Sequence, residues 1–339
     1  MNSLQAIPGP MPKTPEWDAL RLFDPARTDR PVVFGASDAA AACNQSSYSS
    51  ALQLYLEKRG EFDPHSNDTA EDVERREFGL DLEPVILRRY ARREKCQITA
   101  DLPAYLHPTL PFMAVTPDAI AGLSDGTLRG VEAKNSGAQM FDPTGENVHR
   151  YGVEDTDQVP IEYLLQCQQN MEVMGYDQVD MPVLRGGNRL LVYRIDRSPE
   201  LIQQIVSAEQ ELAERIVNGD PPEPNWTHSG TQKVLERMYG LEIGRRIELD
   251  EEAMRVWNLL QEMKAEEKDR EERMRGYRNL LLEKLRGAEI GVLPNRTHEL
   301  KRSVIADSYV TEKDVSDLQL RLGQVKRAGH ERLSQRKVK

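Results

Sequence analysis

From Gly219 to Pro224 the chain reads Gly-Asp-Pro-Pro-Glu-Pro. Three prolines in four residues remove backbone donors, so neither a helix nor a central strand crosses this point. The stretch divides the 339 residues into two parts of different character. The organisation it predicts is an extended, proline-punctuated arm over residues 1–30, a body over 31–224, and a charged helical extension over 225–339. A hydrophobic fraction of 39% is enough for a packed core. No apolar run approaches the roughly 20 residues of a membrane helix, so no membrane partner is expected. The first residues lack the charged and apolar segments of a secretory signal. Cys43, Cys96 and Cys167 are too few and too scattered for a disulfide framework, a four-thiolate zinc site or an iron–sulfur cluster. A reducing, cytoplasmic setting is the expectation.

Within the body, helical and strand periodicities alternate. Ser37 reads as a helix cap after Val32-Val33-Phe34, and Ser49-Ser50 open a helix through Lys58. Phe78, Leu82, Ile86 and Tyr90 recur every four residues and mark one apolar face of a long helix over 71–93. Short β-like segments follow at 97–99, 112–115, 119–121 and 128–134, with Ser124-Asp-Gly126 as a hairpin turn between the last two. Helix returns over 157–174, a strand pair spans 176–184 and 189–195 around Gly186-Gly-Asn188, and 199–217 is helical. This is an α/β body. Beyond the prolines, 250–286 reads as one long helix with a weak apolar seam and an almost wholly charged middle. Residues 298–310 read as a short strand pair and 312–322 as a last helix capped at Thr311.

The chemistry concentrates between Asp118 and Lys134. Asp118 follows one strand and Glu132 lies on the next, 14 residues later. The period of two puts Glu132 and Lys134 on one face of the sheet. Two adjacent carboxylates repel unless a hard cation lies between them, and an ammonium beside them can stabilise charge that builds on a phosphate. That is an arrangement for phosphodiester hydrolysis. A cross-strand pattern of surface charges gives the same letters. Glu83 borders the apolar stripe of its helix and would be a third carboxylate, although a solvated helix glutamate is the commoner fate of such a residue in isolation. Gln166 could bond a phosphate or the attacking water. Arg30, with Ser37 at a helix start, would make an anion pocket, whereas Ser37 as a simple cap needs no ligand.

In order, Gly35-Ala-Ser-Asp38, Gly79 with Glu83-Pro84, Thr116-Pro-Asp118, Val131-Glu-Ala-Lys134, and Val159-Pro160 with Tyr163, Gln166 and Gln168 resemble the YqaJ-type viral recombinase nucleases. These are relatives of phage lambda exonuclease in the PD-(D/E)XK nuclease superfamily. The resemblance covers about Arg30 to Pro224. It implies a restriction-endonuclease-like α/β core, a small mixed sheet flanked by helices, here followed by a long-helix extension. It further implies a Mg²⁺-dependent exonuclease, with Mn²⁺ able to substitute, that digests the 5′-ended strand of linear duplex DNA and leaves a 3′ overhang. By motif position, Glu83, Asp118, Glu132 and the backbone carbonyl of Ala133 would hold two metal ions. Lys134 would activate or position the water, and Gln166 would support the site. Arg30, Ser37 and Thr116 would hold the 5′ phosphate, Thr116 standing where lambda exonuclease has serine. The implied partners are double-stranded DNA ends, a single-strand annealing protein and further copies of the chain in a trimeric ring, within a bacterial or phage-infected cell.

Charge neither supports nor forbids a nucleic-acid partner. Residues 1–228 hold 21 Lys and Arg against 36 Asp and Glu, and residues 229–339 hold 24 against 20. Screening over about 8 Å lets a locally basic surface act inside an acidic chain. The six histidines have no i, i+3 or i+4 pairing, so a histidine metal site is not expected. Trp17, Trp226 and Trp257 are read as packing anchors. Two alternatives stay open: an endonuclease of the same superfamily acting in repair or defence, and a non-catalytic platform for DNA ends or a partner.

Overall fold

The computed structural model describes residues 6–27, 30–66, 68–294, 298–305, 308–309, 325–327 and 330–337. They form two compact units, Met1–Glu242 and Ile243–Lys339. The expected helix over 312–322 and its cap at Thr311 lie outside the described residues.

At the centre of the first unit is a six-stranded mixed sheet. Its strands are β2 (Gln97–Thr99), β5 (Ala119–Gly122), β6 (Leu128–Val131), β7 (Lys134–Ser136), β8 (Gln178–Arg185) and β9 (Arg189–Asp196). β2, β5 and β6 run antiparallel, and the β5–β6 hairpin has Gly122 opposite Leu128. Its turn closes at the expected place: the Gly126 and Leu123 amides donate to Leu123 and Thr127 carbonyls, and Gly126 takes φ +85°. Both β6 and β7 pair in parallel with one edge of β8, and β9 pairs antiparallel with it. The expected continuous strand over 128–134 is therefore two strands, broken at Glu132-Ala133. A smaller sheet joins β1 (Ile7–Pro8), β3 (Tyr105–Leu106) and β4 (Ala114–Val115).

Alternation along β8 explains how the sheet is covered. Val179, Met181 and Val183 pack with Cys167 and Met171 of α5 (Ile161–Met174), while Asp180, one step out of phase, meets Tyr90 of α4 (Ala70–Glu94). Leu87 and Tyr90 of α4 also pack on Ala119, Ala121 and Val131. Buried Asp180 accepts hydrogen bonds from Tyr90 (2.5 Å), Arg194 (2.5 Å) and Arg129 (3.3 Å), so its charge is matched. Helix α6 (Pro199–Asn218) packs on α5 and on α2 (Ala39–Ala42) and α3 (Ala51–Lys58). Helix α7 (Thr231–Tyr239) adds Val234 to the core cluster that contains Leu52 and Tyr55 of α3.

Three details differ from the sequence expectations. The proline-punctuated start is not extended throughout: Pro15–Arg21 is a helix, α1, because the Thr14 hydroxyl caps it and Trp17 is buried. Ser37 is not a cap. It lies exposed inside a 3₁₀ turn, Ala36–Asp38, and Asp38 takes the capping role by accepting from the Gly35 amide at 2.9 Å. The apolar stripe of α4 is buried only in its second half: Ile86 and Tyr90 are in the core, whereas Phe78 is 57% exposed.

The second unit contains α8 (Glu251–Leu285) and an antiparallel sheet of β10 (Ile290–Val292), β11 (His298–Ile305) and β14 (His330–Lys337). A two-stranded pair, β12 (Ser308–Tyr309) with β13 (Val325–Arg327), accompanies it.

Candidate active site

The break between β6 and β7 creates the site. Along β6 the ladder to β8 ends at Val131 opposite Asp180, and it resumes at Lys134 opposite Val183. The Glu132 amide still donates to the Asp180 carbonyl at 3.1 Å. The Ala133 amide has left the ladder, and the Asp118 carboxylate accepts from it at 2.8 Å. A freed donor is thus satisfied by a side chain that the β5–β6 hairpin brings alongside. This single bond fixes Asp118 next to Glu132.

Glu132 is buried on the face toward α5, as the period of two predicts. Its Oε1 accepts from Lys134 Nζ at 2.7 Å and from Gln166 Nε2 at 2.6 Å. Its Oε2 accepts from Asn170 Nδ2 at 3.3 Å. Lys134 also lies 4.8 Å from the Tyr163 ring centroid, a cation–π contact. One helix therefore supplies Tyr163, Gln166 and Asn170, spaced three and four apart on one face. Asn170 and Tyr163 were not singled out for this role by the sequence reading. The available signal was their i+4 and i−3 spacing from Gln166.

Electrostatics distinguish the groups. Burial pushes the Asp118 carboxyl well above its usual range, and the negative charges of Glu132 and Glu83 add to the push. Glu83 is half-buried on α4, and burial and Glu132 raise it too, while Lys13 and Lys134 pull it down. Burial alone would lower the Lys134 ammonium, but Glu132 and Asp118 outweigh it and raise it. Lys134 is held as a cation. Glu83, Asp118 and Glu132 share one field, yet among the described residues no three His, Cys, Asp or Glu side chains converge closely enough to hold a metal ion. The donor set is all oxygen, and a hard divalent cation beside it would offset the burial and mutual repulsion that push the Asp118 carboxyl up.

Ser37, Lys134 and Gln166 line one cleft of about 620 Å³, together with Tyr48, Tyr163 and Arg76. Arg76 pairs with Asp68, and Arg75 with Asp72 at 3.3 Å. Arg30 is placed elsewhere. It lines a separate cleft of about 560 Å³ with Thr109 and Phe112, so the expected anion pocket of Arg30 with Ser37 is not assembled. Thr116 is half-buried directly after β4, two residues before Asp118. Gln168 is structural: it donates to the Asp196 carbonyl and accepts from the Ser198 amide.

A mixed sheet flanked by helices, with Asp118 set against Glu132-Ala-Lys134 at a broken strand, is the α/β arrangement that the motif order leads one to expect. More particularly, residues 23–177 match the model of the YqaJ-like viral recombinase domain, the family that the motif order resembles. The chain is 23% identical over 273 residues to the uncharacterized protein YqaJ of Bacillus subtilis (strain 168), covering 79% of each. It is also similar to the crystal structure of an alkaline exonuclease, LHK-Exo, from Laribacter hongkongensis. That match has 19% identity and a TM-score of 0.42, and covers 61% of this chain and 94% of that one. LHK-Exo in complex with dAMP matches at 17% identity and a TM-score of 0.39, covering 63% and 95%.

Proposed function

We propose that this protein is a Mg²⁺-dependent deoxyribonuclease that digests the 5′-ended strand of linear duplex DNA and leaves a 3′ overhang for single-strand annealing. The observation that carries the reading is the Asp118–Glu132 carboxylate pair with the Lys134 ammonium held on Glu132 at 2.7 Å. The match of residues 23–177 to the YqaJ-like viral recombinase domain agrees with it.

Glu83, Asp118, Glu132 and the Ala133 carbonyl are the oxygens offered to Mg²⁺, or to Mn²⁺ in its place, with two ions per site as the family resemblance implies. When bound, such ions lower the pKa of an attacking water and offset charge on the leaving oxygen. The chain's own groups do the rest. Burial opposes the Lys134 ammonium, but the neighbouring Glu132 and Asp118 raise it, which favours a positioning role over that of a base. It acts as a fixed positive charge that positions the nucleophile and stabilises the phosphate as charge develops. Gln166 and Asn170 hold Glu132 in place so that its oxygens do not reorganise during the reaction. Ser37 on the shared cleft, and Thr116 near Asp118, are the hydroxyls proposed for the 5′ phosphate. Arg30, assigned to the same phosphate by the resemblance, lines the separate cleft with Thr109 and Phe112. Double-stranded DNA ends, an annealing protein and a trimeric ring of copies are the proposed partners, in the cytoplasm of a bacterial or phage-infected cell. Among the described residues no helix is long and apolar enough to cross a membrane.

The test is digestion of linear 5′-phosphorylated duplex with Mg²⁺. Lys134→Ala should slow it about 10²–10³-fold, the usual cost of removing one preorganised electrostatic donor, and Glu132→Ala at least as much. Undiminished digestion by either variant would remove the assignment. Comparing 5′-phosphate, 5′-hydroxyl and covalently closed circular substrates separates an exonuclease, which leaves circles intact, from an endonuclease. A second reading, a non-catalytic platform for DNA ends, is favoured by one observation: both Glu132 oxygens are already occupied by three donors. It predicts DNA binding without Mg²⁺-dependent turnover.

A further inference from the structure

Helix α8 leaves an unusual amount of apolar side chain in solvent. Met263 is 66% exposed, Tyr277 61%, Val256 59% and Trp257 57%, and Leu260, Met274 and Leu280 are exposed as well. The expectation that Trp257 is a packing anchor therefore fails within this chain, and Trp226, 70% exposed, fails with it. The α8 residues are not scattered. Written as heptads, the helix has Ala253, Leu260, Glu267, Met274 and Leu281 at position a, and Val256, Met263, Arg270, Tyr277 and Lys284 at d. The apolar positions flank a charged centre at Glu267 and Arg270, and it is those charges that select a partner helix.

We propose that α8 pairs antiparallel with α8 of a second copy of this chain, about a two-fold axis through the Lys268–Asp269 peptide. In that register every a residue meets a d residue. Val256 meets Leu281 of the second copy, Leu260 meets Tyr277, and Met263 meets Met274. The central layers set Glu267 against Arg270, and by symmetry this happens twice. The flanking positions are complementary also: Lys264 with Glu271, Glu266 with Arg273, and Leu259 with Leu280. Trp257 falls beside Arg278, a cation–π pair. The axis lies within one residue of the midpoint of Glu251–Leu285, so the helices overlap along nearly their whole length, roughly 52 Å at 1.5 Å per residue. A parallel in-register pair would stack Glu267 on Glu267 and Arg270 on Arg270, and those like charges exclude it. A charged layer costs stability but fixes register and orientation, which an all-apolar seam would leave undetermined. The inference is independent of the nuclease reading, and together with a trimeric ring it gives two rings joined through three such helix pairs.

Sedimentation of the full-length chain tests it. The wild type should form an assembly with an even number of copies. Glu267→Arg alone, or Arg270→Glu alone, places like charges in both central layers and should halve that number. The double variant Glu267→Arg with Arg270→Glu exchanges the charges and should restore it. Far-UV circular dichroism should stay unchanged, because both positions are exposed and lie within a long helix. A wild type with an odd number of copies, as a monomer or a lone trimer, would overturn the proposal. So would a Glu267→Arg assembly of unchanged size, or a double variant that fails to recover.

Discussion

At the scale of single residues, the first unit contains two buried acids with opposite electrostatic fates. Asp38 accepts from Arg21 at 2.9 Å and from Lys58 at 2.6 Å. Burial opposes its charge, but Arg21 and then Lys58 prevail and hold it well below the usual carboxylate range. Glu209, fully buried on α6, is pushed well above its range by burial first and by the Asp38 charge second, with Lys58 pulling back. The two acids therefore contribute to stability in opposite pH windows. The Asp38 contribution is complete above the unfolded carboxylate pKa and is lost as pH falls through the depressed folded value. The Glu209 contribution is complete below its unfolded pKa and is lost as pH rises through the raised folded value. Glu209→Gln keeps the shape and cannot ionise. Its melting temperature should exceed that of the wild type by a margin that widens from pH 5 to pH 9, as followed by thermal melts. A margin that shrinks with rising pH would show that Glu209 is ionised and paired in the folded state.

At the scale of elements, α5 is the holder of the site. Its buried side carries Cys167, Met171 and Val173 into the core, so the helix cannot rotate without unpacking the sheet. That anchorage gives Gln166 and Asn170 fixed positions from which to bond Glu132. Gln169, on the same helix, donates to the Phe34 and Ala114 carbonyls and ties the helix to the strand side. On the proposed nuclease reading Glu132 is a metal ligand, and residues that orient such a side chain typically contribute about 10–100-fold to affinity or activity. Gln166→Leu and Asn170→Leu should each lower DNA digestion by about that factor while leaving the urea unfolding midpoint nearly unmoved for Gln166, which is only half-buried. Wild-type rates in both variants would mean that Lys134 alone positions Glu132.

At the scale of the whole molecule, the first unit extends past the prolines at 221–224 to Glu242. The reason is α7, whose Val234 is completely buried in the cluster with Leu52 and Tyr55, and whose Thr231 hydroxyl donates to the Asn225 carbonyl at 2.6 Å. A chain ending at Glu242 should unfold in one cooperative transition. A chain ending at Pro224 should be less stable by at least the roughly 1.5–3 kcal/mol of one buried aliphatic side chain, measured by urea denaturation. Equal midpoints for the two would place α7 outside the cooperative unit.

Local periodicity by itself determined most of the elements: the β5–β6 hairpin, whose turn residues and alternation agree, the strand pair of β8 and β9, helices α3 to α6, and the long α8. A period of two also placed Glu132 and Lys134 on one side, and the two do meet at 2.7 Å, although the continuous strand this presumes is interrupted between them. Tertiary structure alone decided which of those faces were buried. The two halves of α4 have the same apolar spacing, yet Phe78 is exposed while Tyr90 is in the core. Only the packed fold shows that the strand breaks at Ala133, because the break is stabilised by Asp118 from another strand. For the same reason Arg30 and Ser37, seven residues apart, line different clefts, and Asn170 reaches Glu132 from 38 residues away. Contacts between segments remote in sequence depend on how the layers stack, and no single stretch of the chain encodes that.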